Sequence, residues 1–112
     1  MPNSIDLDKI SEFIEEWWDK SALPSLCEFV EIPALSPSFD SDWEANGYLD
    51  AAINTFIAWT RSLPLKGLSL SVHRLKNRSP LLLVKIDGDA DGEVLFYSHL
   101  DKQPEASGWS EG

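Results

Sequence analysis

The residues with the clearest chemical potential are a histidine and an aspartate two positions apart, in the tetrapeptide Ser98-His99-Leu100-Asp101. In an extended chain the side chains of His99 and Asp101 point to the same side. Imidazole is a good ligand for zinc and similar metals, and a neighbouring carboxylate can fix the orientation and the tautomer of the ring. His-x-Asp also occurs often by chance. From the residues alone, a metal ligand and an ordinary surface or core histidine therefore both stay open.

Three further features receive structural interpretations. Residues 87–92, with the sequence DGDADG, match the opening of an EF-hand loop, but Ser98 stands where calcium requires a bidentate glutamate. We expect a polar inter-strand turn there. Cys27 lies among apolar residues and is expected to be a buried thiol. His73 lies on the polar side of an alternating pattern and is expected to face solvent.

The first half of the chain is predicted to be helical. Apolar spacing predicts a helix over 5–20 and a second helix that ends at Pro33. A third, long helix is predicted to begin with a capping box at 41–44 and to stop before Gly67. The apolar and aromatic positions of these helices are expected to form core: Ile10, Phe13, Ile14, Trp17, Leu26, Phe29, Val30, Leu49, Ala52, Ile53, Phe56, Ile57 and Leu63.

After Gly67 the apolar period changes to two, which predicts a half-buried strand over 68–73. A polar turn at 76–80 separates it from two nearly continuous apolar runs, 81–86 and 94–97. Such runs are typical of strands that are covered on both faces. The predicted fold class is α/β, a layered arrangement with N-terminal helices followed by a β-hairpin and a buried central strand.

The chain has 112 residues, nine Lys/Arg and nineteen Asp/Glu, and therefore a formal charge of −10. This charge argues against a nucleic-acid binder, because phosphate contacts need clustered cations, and against a polybasic membrane-surface protein. No stretch of about 18 apolar residues predicts a membrane span, and the first residues show no signal-peptide pattern. With one cysteine and no export signal, a cytoplasmic location is expected.

The residues around His99 resemble the first metal motif of the aminoacylase/carnosinase-like zinc exopeptidases, metallopeptidase family twenty, in the dipeptidase-like branch. That motif combines a hydrophobic strand, a small residue, His-x-Asp, and a short segment with Gln-Pro and Gly-Trp. Here it reads VLFYSHLDKQP over 94–104, followed by Gly108-Trp109. Upstream, VEIPALS over 30–36 resembles the turn that follows the family's N-terminal helix. The similarity spans nearly all of the chain.

This resemblance implies that His99 ligates one of two metals, usually zinc. It implies that Asp101 is the acidic residue of the catalytic site that supports this ligand. Members of the family hydrolyse peptide or N-acyl amide bonds in small peptides or N-acyl amino acids. In their mechanism, two metals ionise a bridging water that attacks the scissile carbonyl, and a glutamate acts as general base.

The family's remaining ligands, its general base and its smaller second domain cannot be placed in the sequence. We therefore expect residues 1–112 to be the N-terminal part of a truncated metallopeptidase catalytic domain that holds zinc weakly and is inactive alone. Homo-oligomers are a further expectation for the full-length form. The alternative is a non-catalytic module that pairs with a full-length homologue through its open sheet edge. A small acidic binding domain unrelated to peptidases is a third interpretation.

Overall fold

The computed structural model describes residues 4–111. Residues 1–3 and Gly112 lie outside the described residues. The first three belong to the segment in which no signal-peptide pattern is predicted. The chain divides into two compact units, Met1–Glu31 and Ile32–Gly112. Within residues 4–111, no helix combines the length and the apolar character needed to cross a membrane.

The first unit is helical. Helix α1, Leu7–Trp17, begins at Asp6, whose carboxylate accepts a hydrogen bond from the backbone N–H of Lys9 at 3.2 Å. A π-helical stretch, Trp18–Ala22, continues the backbone into helix α2, Leu23–Glu31. Helix α2 ends as predicted before Pro33, because proline disfavours helical geometry in the residue that precedes it.

The predicted core of this unit is wrong for most of its residues. Phe13 and Ile14 are more than half exposed, and none of the residues of α1 and α2 is buried. A helix can bury its apolar stripe only against another element, and this unit consists of one helical segment. Cys27, expected to be a buried thiol, is exposed for the same reason.

The second unit begins with an irregular segment and continues with two helices, α3, Trp43–Asn46, and α4, Tyr48–Ser62. The predicted single helix is broken at Gly47, whose φ of 70° is left-handed and interrupts the helical backbone. The predicted capping box does not form. Instead, Asp40 accepts hydrogen bonds from the backbone N–H of Asp42 and from the side-chain amide of Asn46.

The core of the described structure lies in this unit. Buried apolar residues come from one face of α4 and from the segment that precedes α3: Ala34, Leu49, Ala52 and Ile53. Thr60 is also buried, and its hydroxyl donates to the carbonyl oxygen of Phe56 at 2.8 Å. The predicted inward face of the long helix is thus confirmed at its first three apolar positions.

Strands β1, Leu68–His73, and β2, Leu81–Ile86, form a two-stranded antiparallel sheet. The register pairs Leu68 with Ile86 and His73 with Leu81. Burial alternates along β1 as predicted, and His73 is exposed. Residues 89–92 form bends after β2. The predicted inter-strand turn at 87–92 is confirmed only as a bent polar segment, because no strand follows it within the described residues. The molecule therefore has helices and a small antiparallel sheet, an α/β arrangement.

The predicted buried central strand at 94–97 is not formed. These residues have no strand assignment, and their side chains are 82–91% exposed. Apolar composition alone does not make a strand, because each strand needs the backbone of a neighbour to satisfy its N–H and C=O groups. Within the described residues, β2 pairs only with β1 and does not supply that neighbour.

Candidate metal-ligand site

The segment that carries His99 is anchored one residue beyond Asp101. Leu35 and Lys102 form an isolated parallel bridge. In it, the backbone N–H of Lys102 donates to the carbonyl oxygen of Ala34 at 2.9 Å, and the N–H of Ser36 donates to the carbonyl oxygen of Lys102 at 2.8 Å. Because Ala34 is fully buried, this bridge ties the segment to the core.

The side chain of Lys102 adds a third connection. Its ammonium group donates to the carbonyl oxygen of Ile32. Partial burial lowers the pKa of Lys102, since desolvation disfavours the charged form. The loop at residues 32–36 thus accepts hydrogen bonds from both the backbone and the side chain of Lys102, the residue next to Asp101.

His99 and Asp101 are brought together, as the i, i+2 spacing predicts. Nδ1 of His99 lies 2.9 Å from Oδ1 of Asp101 and 2.8 Å from the carbonyl oxygen of the same residue. The imidazole is largely exposed, with 71% of the side chain accessible, whereas the Asp101 side chain is 31% accessible. The partly buried carboxylate of Asp101 therefore fixes the orientation of the exposed imidazole ring of His99.

This geometry selects the tautomer of His99. Both partners of Nδ1 are acceptors, so Nδ1 carries the proton and donates to them. In the neutral ring, Nε2 then bears a lone pair. Within residues 4–111, Nε2 of His99 has no hydrogen-bond partner. Histidines that ligate metals commonly donate their other N–H to a carboxylate in the same way.

Asp101 also raises the pKa of His99 above its ordinary value of 6.5. The largest cause is the hydrogen bond to the backbone carbonyl of Asp101, followed by the hydrogen bond to its carboxylate and the attraction of its charge. All three favour the imidazolium form. A cation at Nε2 would therefore compete with a proton over a wider pH range than at an unperturbed histidine.

The described residues do not form a complete zinc site. A catalytic zinc takes about three protein ligands. Among residues 4–111, no group of three or more His, Cys, Asp or Glu side chains converges to hold a metal. Asp87, from the EF-hand-like segment, forms an ion pair with Lys85 at 3.0 Å. The donor set fits one zinc ligand, Nε2 of His99.

The Gly108-Trp109 pair of the predicted motif lies in the exposed segment after Lys102, where the Trp109 indole N–H donates to the carbonyl oxygen of Ala106.

The sequence did not predict that Lys102 anchors the segment of His99. A lysine in a polar segment carries no pattern that would reveal a backbone bridge to a distant loop.

Comparison with known proteins gives no family assignment, because no protein-family model and no curated protein matches the chain.

Proposed function

We propose that this chain supplies the first metal-ligand segment of a zinc-dependent exopeptidase or amidohydrolase. In this proposal His99 binds the metal through Nε2, and Asp101 is the positioning carboxylate of the catalytic site. The substrate class is a small peptide or an N-acyl amino acid. We also propose that the helices and strands described above are part of a layered α/β catalytic domain, and that the protein is cytoplasmic.

The observation that carries the proposal is the hydrogen bonding of His99. Its Nδ1 proton is engaged by two acceptors of Asp101, and its ring is exposed. A histidine that served only the fold would gain little from such an arrangement, because ion pairs between exposed side chains contribute little to stability. Orientation of the ring and of its tautomer is useful when Nε2 binds a metal.

A second observation supports the resemblance to the peptidases. The two segments that resemble family motifs, 30–36 and 94–104, meet at the Leu35–Lys102 bridge. When bound, zinc would activate water and polarise the scissile carbonyl. The chain's own contribution is to present Nε2, to hold the ring in place through Asp101, and to fix Asp101 through the neighbouring bridge.

The test is a zinc titration of the 112-residue chain, followed by NMR spectra of the imidazole nitrogens. We expect zinc to shift Nε2 of His99 selectively. The variant Asp101→Asn is expected to weaken zinc binding by roughly 10- to 100-fold, the usual effect of losing a carboxylate that orients a metal-bound histidine. We expect no hydrolysis of dipeptides by the chain alone.

His73 provides the matched control. It is also exposed, but its Nε2 lies 3.0 Å from the hydroxyl of Ser71, and no carboxylate among residues 4–111 orients its ring. His73→Ala should leave zinc binding unchanged, and His99→Ala should abolish it. Equal losses in the two variants, or a zinc-induced shift at Nδ1 of His99, would contradict the proposed ligand role.

A second candidate function, pairing with a homologue through the sheet, is supported by a separate observation. The sheet has two strands, so each strand has one edge without a partner strand within the sheet. Leu81 and Leu83 of β2 are exposed, as are the apolar side chains of 94–97. Exposed apolar strands are sites where another chain can add a strand.

This candidate is tested by co-purification with a full-length homologue. Leu81→Lys combined with Leu83→Lys should abolish the association, because charge on an edge strand opposes pairing. Ser69→Lys combined with Ser71→Lys adds the same charge to the exposed positions of β1, which also has a free edge, and shows whether pairing uses β1 instead. Association that survives the β2 variant would exclude pairing through that strand.

A further inference from the structure

A second cluster of charged residues lies around a pocket in the unit Ile32–Gly112. The pocket has a volume of about 230 Å³ and is formed by α3, the start of α4 and the connection between β1 and β2. Three cations line it, Arg74, Lys76 and Arg78. The whole chain has only nine Lys/Arg against nineteen acids, so a concentration of three cations at one pocket is unusual for this protein.

The cations of this pocket differ in their pairing. Arg74 Nη2 lies 2.7 Å from Oδ1 of Asp50. Among the described residues, Lys76 and Arg78 form no ion pair, although both line the pocket and are exposed. These two side chains are therefore available to an anionic group, and the planar guanidinium of Arg78 matches the geometry of a carboxylate.

The acidic wall of the pocket offers the complementary group. Oδ1 of Asp50 is a buried atom that Arg74 Nη2 contacts at 2.7 Å. Half of the Asp50 side chain is still accessible to solvent. Glu44 also lines the pocket. An ammonium group is attracted to the Asp50 carboxylate beside Arg74 and can donate to its other oxygen.

The apolar wall and the size of the pocket limit the ligand further. Trp43, Leu49 and Pro80 contribute apolar surface beside the charged side chains. The volume of about 230 Å³ equals the liquid volume of roughly eight water molecules. It is below the range of about 300–1,000 Å³ that is usual for drug-sized ligands.

We propose that this pocket binds a free α-amino acid with an apolar side chain. The α-carboxylate pairs with Lys76 and Arg78, the α-ammonium donates to Asp50, and the side chain packs against Trp43. This inference does not rest on the proposed metal-ligand function, because it uses none of the residues of that site.

The test is a titration of the ¹⁵N-labelled chain with four probes, followed by amide chemical shifts. L-phenylalanine carries all three recognised groups, whereas phenylacetate lacks the ammonium, phenethylamine lacks the carboxylate, and glycine lacks the side chain. We expect saturable shifts at residues 43–50 and 74–80, with L-phenylalanine the tightest of the four probes.

Variants separate the two charged contacts. Lys76→Ala combined with Arg78→Ala should weaken L-phenylalanine and phenylacetate by roughly 10-fold or more, since hydrogen bonds to charged groups are worth that much. Asp50→Asn should weaken L-phenylalanine and leave phenylacetate unaffected. Arg61→Ala combined with Lys66→Ala removes the same charges outside the pocket and should bind like the wild type. Circular dichroism verifies that each variant is folded.

Three results would overturn the proposal. The first is the absence of saturable shifts with L-phenylalanine at roughly 10 mM, a concentration that would detect even millimolar affinity. The second is equal binding of phenethylamine and L-phenylalanine by the wild type. The third is an equal loss of affinity in the pocket variant and in the Arg61/Lys66 control, which would indicate a general effect of charge.

Discussion

At the residue scale, one neighbour, Asp101, determines what His99 can do. Asp101 supplies two acceptors to the same ring nitrogen, which leaves Nε2 as the atom with a lone pair. The same contacts raise the pKa of His99. Asp101 would thus have two opposing effects on a metal bound at Nε2, since it orients the ring and also strengthens the binding of the competing proton.

The pH dependence of His99 follows from these contacts. We expect its pKa to lie above 6.5 in the folded chain. The His99–Asp101 contact therefore stabilises the fold fully below pH 6.5, and this contribution is lost as the pH rises through the raised pKa. In Asp101→Asn the pKa should fall, but only part of the way, because the backbone carbonyl remains.

Proton NMR of the imidazole ring as a function of pH measures this effect, with His73→Ala used to assign the two histidine signals. A pKa of His99 that is the same in Asp101→Asn and in the wild type would show that the carboxylate does not act on the ring in solution.

At the scale of elements, two glycines with the same backbone conformation have different surroundings. Gly47, between α3 and α4, and Gly67, before β1, both have a φ of 70°. A Cβ at Gly47 would meet no atom within 4 Å. A Cβ at Gly67 would lie 3.2–3.3 Å from Asp87, including its backbone N and O. The N–H of Asp87 donates to the carbonyl oxygen of Gly67 at the end of the sheet.

The two alanine variants should therefore differ in stability. Gly47→Ala is expected to lower the free energy of unfolding by about 1–2 kcal/mol, the cost of a left-handed conformation. Gly67→Ala should lower it by roughly a further 1 kcal/mol or more, because the neighbouring backbone is also displaced. Urea unfolding measures both values. Equal destabilisation would indicate that Asp87 moves away from the new methyl group without cost.

At the scale of the whole molecule, the burial of apolar side chains is unevenly distributed along the chain. The buried apolar side chains of the described structure are few and belong to Ile32–Gly112. Many large apolar side chains remain exposed, including Phe13, Val30 and those of 94–97. Stability should accordingly depend on a small number of positions around α4 and be insensitive to most other apolar residues.

This uneven distribution is tested by two truncations. Ile53→Ala, at a side chain that is 4% exposed, should lower the free energy of unfolding by about 2–5 kcal/mol, through lost burial and a residual cavity. Phe96→Ala, at a side chain that is 89% exposed, should change it by less than about 0.5 kcal/mol. Thermal and urea unfolding provide the comparison. A large loss in Phe96→Ala would show that the run 94–97 is packed in solution.

The sequence predicted what depends on local patterns. The alternation over Leu68–His73 reports one buried face and is confirmed. The His99–Asp101 contact follows from a spacing of two residues. The Leu35–Lys102 bridge was not predicted, because a contact between distant segments leaves no periodic signal. The strand at 94–97 was predicted wrongly, because its apolar composition does not reveal whether a neighbouring strand is present.

The bridge next to Asp101 also has a consequence for the order of folding. It joins residues up to 70 positions apart, and closing a flexible loop of that length costs about 4 kcal/mol in entropy by the usual logarithmic dependence. The hydrogen bonds between Lys102 and residues 32–36 return about 1 kcal/mol each, which is comparable with that cost. We therefore expect α4 and the β1–β2 hairpin to form first and to shorten the loop. On this view the segment that carries His99 is ordered late and opens early.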